Sequence, residues 1–222
     1  AEIVLSRSQN LLDKFRVYEA QIQSYIAQNQ MKSAVDTGLQ VLEMLGVSLE
    51  TELPATVEIS ALANLPEIND PYKIAALRIL GAIASAAYLA SPELYPTVVF
   101  TMAHICSKYG NSAPASYAYA CCSLICEVTG EIELGYQYGQ LSLQVLDKFP
   151  ALEFHSKVLM VYNACVRHWK EPSRSTIPSL LSAVKSGLET GDIEYACYSA
   201  MYLCIYSFLS GEDLQSIDNK YK

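Results

Sequence analysis

The chain has 222 residues, of which 51% are hydrophobic and 17% charged, and its formal net charge is −8. That apolar content excludes intrinsic disorder and is enough for a substantial core, since a chain of this size buries about 70% of its unfolded surface. The acidic balance argues against nucleic acid and against an anionic membrane surface, because both need clustered Lys and Arg.

Helical periodicity runs from end to end, and no stretch alternates as a strand does. The first helix is expected over 4–28, where Leu11, Leu12, Phe15, Tyr18, Ile22, Tyr25 and Ile26 recur at helical spacing. After a short break at Asn29-Gln30, a second helix spans 31–45 and stops at Gly46, a natural left-handed terminator. Residues 47–70 hold Pro54 and Pro66 and read as a connection with one short helix near 56–64. Asp70 then caps a helix over 72–90 that has Pro71 in its first turn, and its small, apolar surface marks it as central. Further helices are expected near 93–109, 114–129, 131–148, 152–169, 175–190 and 192–210. Ser112 is expected to cap the helix that begins at Pro114.

Ten such helices with short breaks imply an all-α chain of antiparallel helix hairpins stacked side by side, an irregular TPR-like superhelix (α-α solenoid). Ala34-Val35-Asp36-Thr37-Gly38-Leu39 is echoed by Ala183-Val184-Lys185-Ser186-Gly187-Leu188, and Gly135 and Gly139 repeat the spacing of small residues. Small residues four apart make a flat stripe on which a neighbouring helix can sit closely, as in tetratricopeptide repeats. An irregular bundle is the competing arrangement. We expect a single domain over 1–222, weakly subdivided into 1–46 and 71–222 around the connection at 47–70. The start at Ala1 without Met and the polar run Asp218-Asn219-Lys220-Tyr221-Lys222 suggest a segment of a longer chain.

Residues 195–211 are uncharged and reach the lower length limit for a membrane span, but they hold four tyrosines and three serines and lack basic flanks, so a buried helix is the preferred reading. The same holds for 79–92. The cysteine count is seven, an odd number, and no signal peptide precedes them. Cys121, Cys122, Cys126, Cys165, Cys197 and Cys204 lie among apolar residues and read as buried, reduced thiols of a cytoplasmic protein. A metal site of Cys121, Cys122 and Cys126 with His104 and Cys106 would need unusual spacing, so no metal or other cofactor is expected.

Catalytic motifs are missing: there is no phosphate-binding loop, HExxH, GxSxG or CxxC. Ser182-Ala183-Val184-Lys185 matches SxxK without its partner motifs. Two constellations remain as candidate partner or ligand contacts. Tyr195, Tyr198, Tyr202 and Tyr206 form a stripe at i, i+3, i+7 and i+11, either an aromatic groove or, preferably, a core seam. His168 and Trp169, the only tryptophan, stand in Arg167-His168-Trp169-Lys170-Glu171-Pro172. Leu159, Tyr162, Val166 and Trp169 continue one helical face, so Trp169 is expected to pack inward. Arg167, His168 and Lys170 suit a helix C-terminus, where cations meet the negative end of the dipole.

Six blocks in order carry a resemblance: AVDTGLQVLEMLGVSLE, DPYKIAALRILGAIASAAYLASPELYP, KYGNSAPASYAYA, GYQYGQLSLQVLDKF, RHWKEP and SGLETGDIEYACYSAMYLC. Over about residues 9 to 214 the chain resembles the long helical region of bacterial multidomain signalling kinases. There a serine/threonine kinase domain is followed by an AAA/STAND-type ATPase, the TPR-like region, GAF or PAS sensors and often a histidine kinase. The resemblance implies a non-catalytic regulatory module that couples the ATPase switch to sensor and kinase domains. Its partners would be other domains of the same polypeptide or a signalling protein. The alternative is a small-molecule sensor with a tyrosine-lined pocket inside the array; an enzyme with an unrecognised site would need clustered titratable groups.

Overall fold

The computed structural model describes residues 11–54 and 58–221. Among them every regular element is helical: α1 (Leu11–Ala27), α2 (Met31–Met44), α3 (Ile59–Leu62), α4 (Pro71–Ala90), α5 (Tyr95–Tyr109), α6 (Ala113–Val128), α7 (Ile132–Lys148), α8 (Leu152–Met160), α9 (Ile177–Thr190), α10 (Ile193–Leu209) and α11 (Leu214–Tyr221). The chain divides into two compact units, Ala1–Ala118 and Tyr119–Lys222, with the division inside α6. Residues 4–10 of the expected first helix, and 56–57 of the short one, lie outside the described residues.

The local stops follow from backbone chemistry. At the end of α2 the Val47 amide donates to the Leu42 carbonyl (3.0 Å) and Gly46 to Glu43 (2.9 Å). Closing this pair of bonds requires the left-handed conformation, and Gly46 takes it at φ 63°. Asp70 caps α4 by accepting from the Tyr72 and Lys73 amides. Ser112 does not act as expected: its hydroxyl is buried and has no hydrogen-bond partner.

In the first unit, α1 and α4 run parallel. The ring of Phe15 meets the edge of Tyr72 (centroids 6.5 Å), and further along both helices Glu19 pairs with Arg78 (3.0 Å). The returning helix α2 packs on both. Its Gly38 faces Ile83, whose Cγ2 stands 2.3 Å from where a glycine-substituting Cβ would lie. Helix α4 fully buries Leu77, Leu80 and Ile83, each worth about 1.5–3 kcal/mol relative to exposure. Among the described residues it is the one helix long and apolar enough to cross a membrane, and half of its most apolar stretch is buried inside the fold. The connection after α2 returns to the turn between α5 and α6. There Asn111 is fully buried and donates its side-chain amide to the Leu62 carbonyl (2.7 Å), while its backbone bonds Pro66 and Ile68.

In the second unit the same three-helix relation recurs in α8, α9 and α10. Ser186, late in α9, donates to Leu152 at the start of α8, whereas Leu180, early in α9, packs on Ala164 beyond the end of α8, so α9 is antiparallel to α8. Lys157 lies 4.3 Å from the ring centre of Tyr195, and Tyr206 donates to the Ala164 carbonyl, so α10 is parallel to α8. Gly187 again permits the close approach, with Ala196 and Ser156 within 2.8 Å of a substituting Cβ. Helix α7 joins through Gly135, against the Ser123 carbonyl, and Gly139, against Tyr162.

Two elements depart from the sequence reading. The expected helix over 152–169 is α-helical only to Met160. It widens to a π-helix over Val161–Val166 and tightens to a 3-10 turn over Arg167–Trp169. Side chains take carbonyls along this stretch: Asn163 donates to Leu159 (2.9 Å) and Tyr206 to Ala164. Helix α11 falls in what reads as a polar tail. Its start is fixed by Asp213, which accepts from the Ser216 amide (2.9 Å).

Candidate functional site

The distinctive chemistry of the second unit gathers where the π-helical segment ends. Glu171 is its hub. Its carboxylate accepts from Arg167 (2.7 Å), from the Tyr136 hydroxyl on α7 (2.8 Å) and from Ser175 (3.3 Å). Arg167 reaches back to the Asn163 side chain at 3.0 Å. Lys170 pairs with Glu133 (2.6 Å), and the indole N–H of Trp169 donates to Glu127 at the end of α6 (3.1 Å). His168 Nδ1 lies 3.0 Å from the Tyr206 hydroxyl.

The electrostatics follow from these partners. Hydrogen bonds from Arg167 and then Tyr136 hold the Glu171 carboxyl down at about 2. The same carboxylate raises Tyr136 above the ordinary phenol value. Burial lowers the pKa of His168, so it favours neutral imidazole rather than the helix-end cation expected from its position. A carboxylate at about 2 with three donors on it is a weak base at neutral pH. As built, the network fixes the turn.

Trp169 does not pack inward. It is 55% exposed, with the His168 ring 5.2 Å away centre to centre. The inward assignment carried a 3.6-residue period from Leu159 through Val166. The π-helical turn and the 3-10 turn break that phase before Trp169, and the indole emerges at the surface.

The four stripe tyrosines divide. Tyr195 and Tyr206 are buried, and Tyr198 and Tyr202 are half-buried. Tyr195 meets Tyr198 edge-on at 5.9 Å, and Tyr202 tilts against Tyr206 at 5.9 Å. Tyr206 joins the apolar cluster of Ala164, Leu180 and Leu203. The structure thus brings Tyr206 to His168 and Trp169, leaves Tyr195 beside Lys157, and fills the seam with packed rings.

Cys106, Cys121, Cys122 and Cys126 are buried and not in disulfides, but Cys197 is exposed and Cys165 and Cys204 are intermediate. Cys197 is one position round α10 from the buried face of Ala196 and Ser199, so apolar neighbours in sequence did not mean burial. Burial pushes Cys126 to about 11 and Cys165 to about 12. Among the described residues no three His, Cys, Asp or Glu side chains converge as metal ligands.

The sequence reading missed Tyr136, Glu133, Glu127 and Asn163 as partners of the Arg167–Pro172 stretch. The available signal was the i, i+4 spacing of Asn163, Arg167 and Glu171. No protein-family model, curated protein or solved structure matches this chain.

Proposed function

We propose that this chain is a TPR-like helical array that acts as a non-catalytic regulatory module of a cytoplasmic multidomain signalling kinase. It couples an ATPase switch to sensor and kinase domains through interdomain or protein–protein contacts. The observation that carries the reading is the recurrence, in each unit, of a helix, its antiparallel successor and a third helix parallel to the first. At Gly38 and at Gly187 that triplet is seated on a glycine. Helix pairs stacked in this way build the surfaces of solenoid proteins. The ordered blocks of resemblance supply the signalling context. The exposed Trp169, held by Glu127 and His168, suits an aromatic contact of the kind that anchors protein interfaces.

The test is calorimetric titration of the purified chain with the separately expressed ATPase domain that the reading places in the same polypeptide. Saturable binding that Trp169→Ala weakens about tenfold is expected. The chain alone should neither hydrolyse ATP nor phosphorylate itself. Turnover abolished by a point substitution within the chain would overturn the non-catalytic reading.

A further inference from the structure

The first unit contains an open cleft of about 310 Å³. One wall is the face of α5 that carries Thr101, His104 and Lys108, and Lys73 in the first turn of α4 also lines it. Another wall is the strap that follows α2 from Gly46 to Glu50. Two bonds tie this strap to α5: the Glu50 amide donates to the Thr101 hydroxyl (2.9 Å), and His104 Nε2 lies 3.1 Å from the Glu52 carbonyl. These bonds hold the strap and the residues that follow it against α5.

The cleft is basic within an acidic chain. Lys73 and Lys108 both approach Tyr109, with their ammonium groups 5.0 and 5.3 Å from its ring centre. Among the described residues neither lies within ion-pair distance of a carboxylate. Cation–π attraction turns part of each ammonium group toward the ring and leaves its remaining N–H donors for a ligand. Three carboxylates count on the other side: Glu50, Asp70, and Glu52, whose carbonyl meets His104. Asp70 is committed to the Tyr72 and Lys73 amides. Glu50 lines the cleft and offsets at most one of the two ammonium charges. His104 meets the strap through Nε2 and acts as a positioning residue, and the two lysines supply the ammonium groups of the cleft.

We propose that this cleft binds a small phosphate-bearing molecule, with Lys73 and Lys108 as its anchors. A phosphate monoester brings about −1.5 to −2 charges and several acceptor oxygens, which matches two ammonium groups better than a single carboxylate does. The inference stands on the first unit alone and does not depend on the signalling reading.

The test is calorimetric titration of the full chain with inorganic pyrophosphate at low salt, on the wild type, the double variant Lys73→Gln/Lys108→Gln, and Lys148→Gln. Lys148 also sits over an aromatic ring, that of Phe149 at 5.4 Å, but outside the cleft, so its variant controls for loss of a surface charge. Saturable binding is expected for the wild type and for Lys148→Gln, weakened about tenfold or more in the double variant. Glu50→Gln, which removes an opposing carboxylate, is expected to tighten binding severalfold, which keeps the proposal testable if the double variant folds poorly. Undiminished affinity in a folded double variant, equal loss in Lys148→Gln, weaker binding by Glu50→Gln, or no saturable binding by the wild type would each overturn it.

Discussion

Gly139 and Gly81 are both helical glycines, and the structure assigns them opposite responses to alanine. In a helix interior, replacing Gly by Ala gains about 1 kcal/mol from backbone entropy alone. At Gly81 the nearest foreign atom to a new Cβ is Tyr117 Cδ1 at 3.5 Å, an ordinary contact, so Gly81→Ala keeps that gain. At Gly139 a new Cβ meets Tyr162 Cδ2 at 2.0 Å and Cε2 at 2.2 Å. Tyr162 is 2% exposed and lies within the π-helical segment, so its ring has to move by more than an ångström through packed surroundings. Overpacking of this severity belongs at the upper end of the usual range, about 3 kcal/mol, which leaves Gly139→Ala destabilised by about 2 kcal/mol net. Urea unfolding followed by far-UV circular dichroism reads the loss of the helices. With a slope of about 2 kcal/mol per molar, the midpoint should fall by about 1 M, whereas Gly81→Ala should raise or hold its own. In the pair Gly139→Ala/Tyr162→Ala the clash disappears, and the two effects should fall short of additivity by at least about 1 kcal/mol. A Gly139→Ala midpoint at or above wild type would refute the close approach of α7 to the π-helical segment.

Three other outcomes follow from the geometry. Trp169, the only indole, should emit at the red-shifted wavelength of a solvated ring and be quenched readily by acrylamide; a blue-shifted, protected emission would restore the inward orientation. Thiol labelling of the native chain should modify Cys197 first, with Cys106, Cys121, Cys122 and Cys126 reacting only on unfolding, and early labelling of any of those four would contradict the packing. The Glu171 carboxyl is depressed from 4.5 to about 2, so the stability it contributes is complete above about 4.5 and is lost as pH falls toward 2. For a part-exposed pair that is about 1 kcal/mol, and Glu171→Gln should remove this share of the acid loss when urea midpoints at about pH 6 and pH 3 are compared; an unchanged pH dependence would mean that the pairing with Arg167 adds nothing.

Most helix positions were legible because their signals are local. Gly46 and the pair Asp70-Pro71 stop or start helices through bonds made within a few residues, and Gly191 ends α9 at φ 78°. The small residues at Gly38, Gly139 and Gly187 announced close approaches but not which helix would come. Ile83, Tyr162 and Ala196 answer that only in the folded chain. The π-helical segment was not legible, because Val161-Tyr162-Asn163-Ala164-Cys165-Val166 contains no breaker and one donor to its carbonyls, Tyr206, stands on α10. The exposure of Trp169 was lost with it. Helix α11 escaped notice because Leu214 and Ile217 are too few to set a period. Of the basic cleft, only the i, i+4 pair His104 and Lys108 could be read on one helix; Lys73 and the strap reach it by tertiary folding.

The division of the chain at Ala118 and Tyr119 also sets an order in time. The first unit closes on residues that leave the ribosome before Tyr119. At about 5–20 residues per second, the residues from Tyr119 to Lys222 take roughly 5–20 s to synthesise. Helical units fold in microseconds to milliseconds. The first unit, with its cleft, therefore has thousands of folding times to itself before α10 exists.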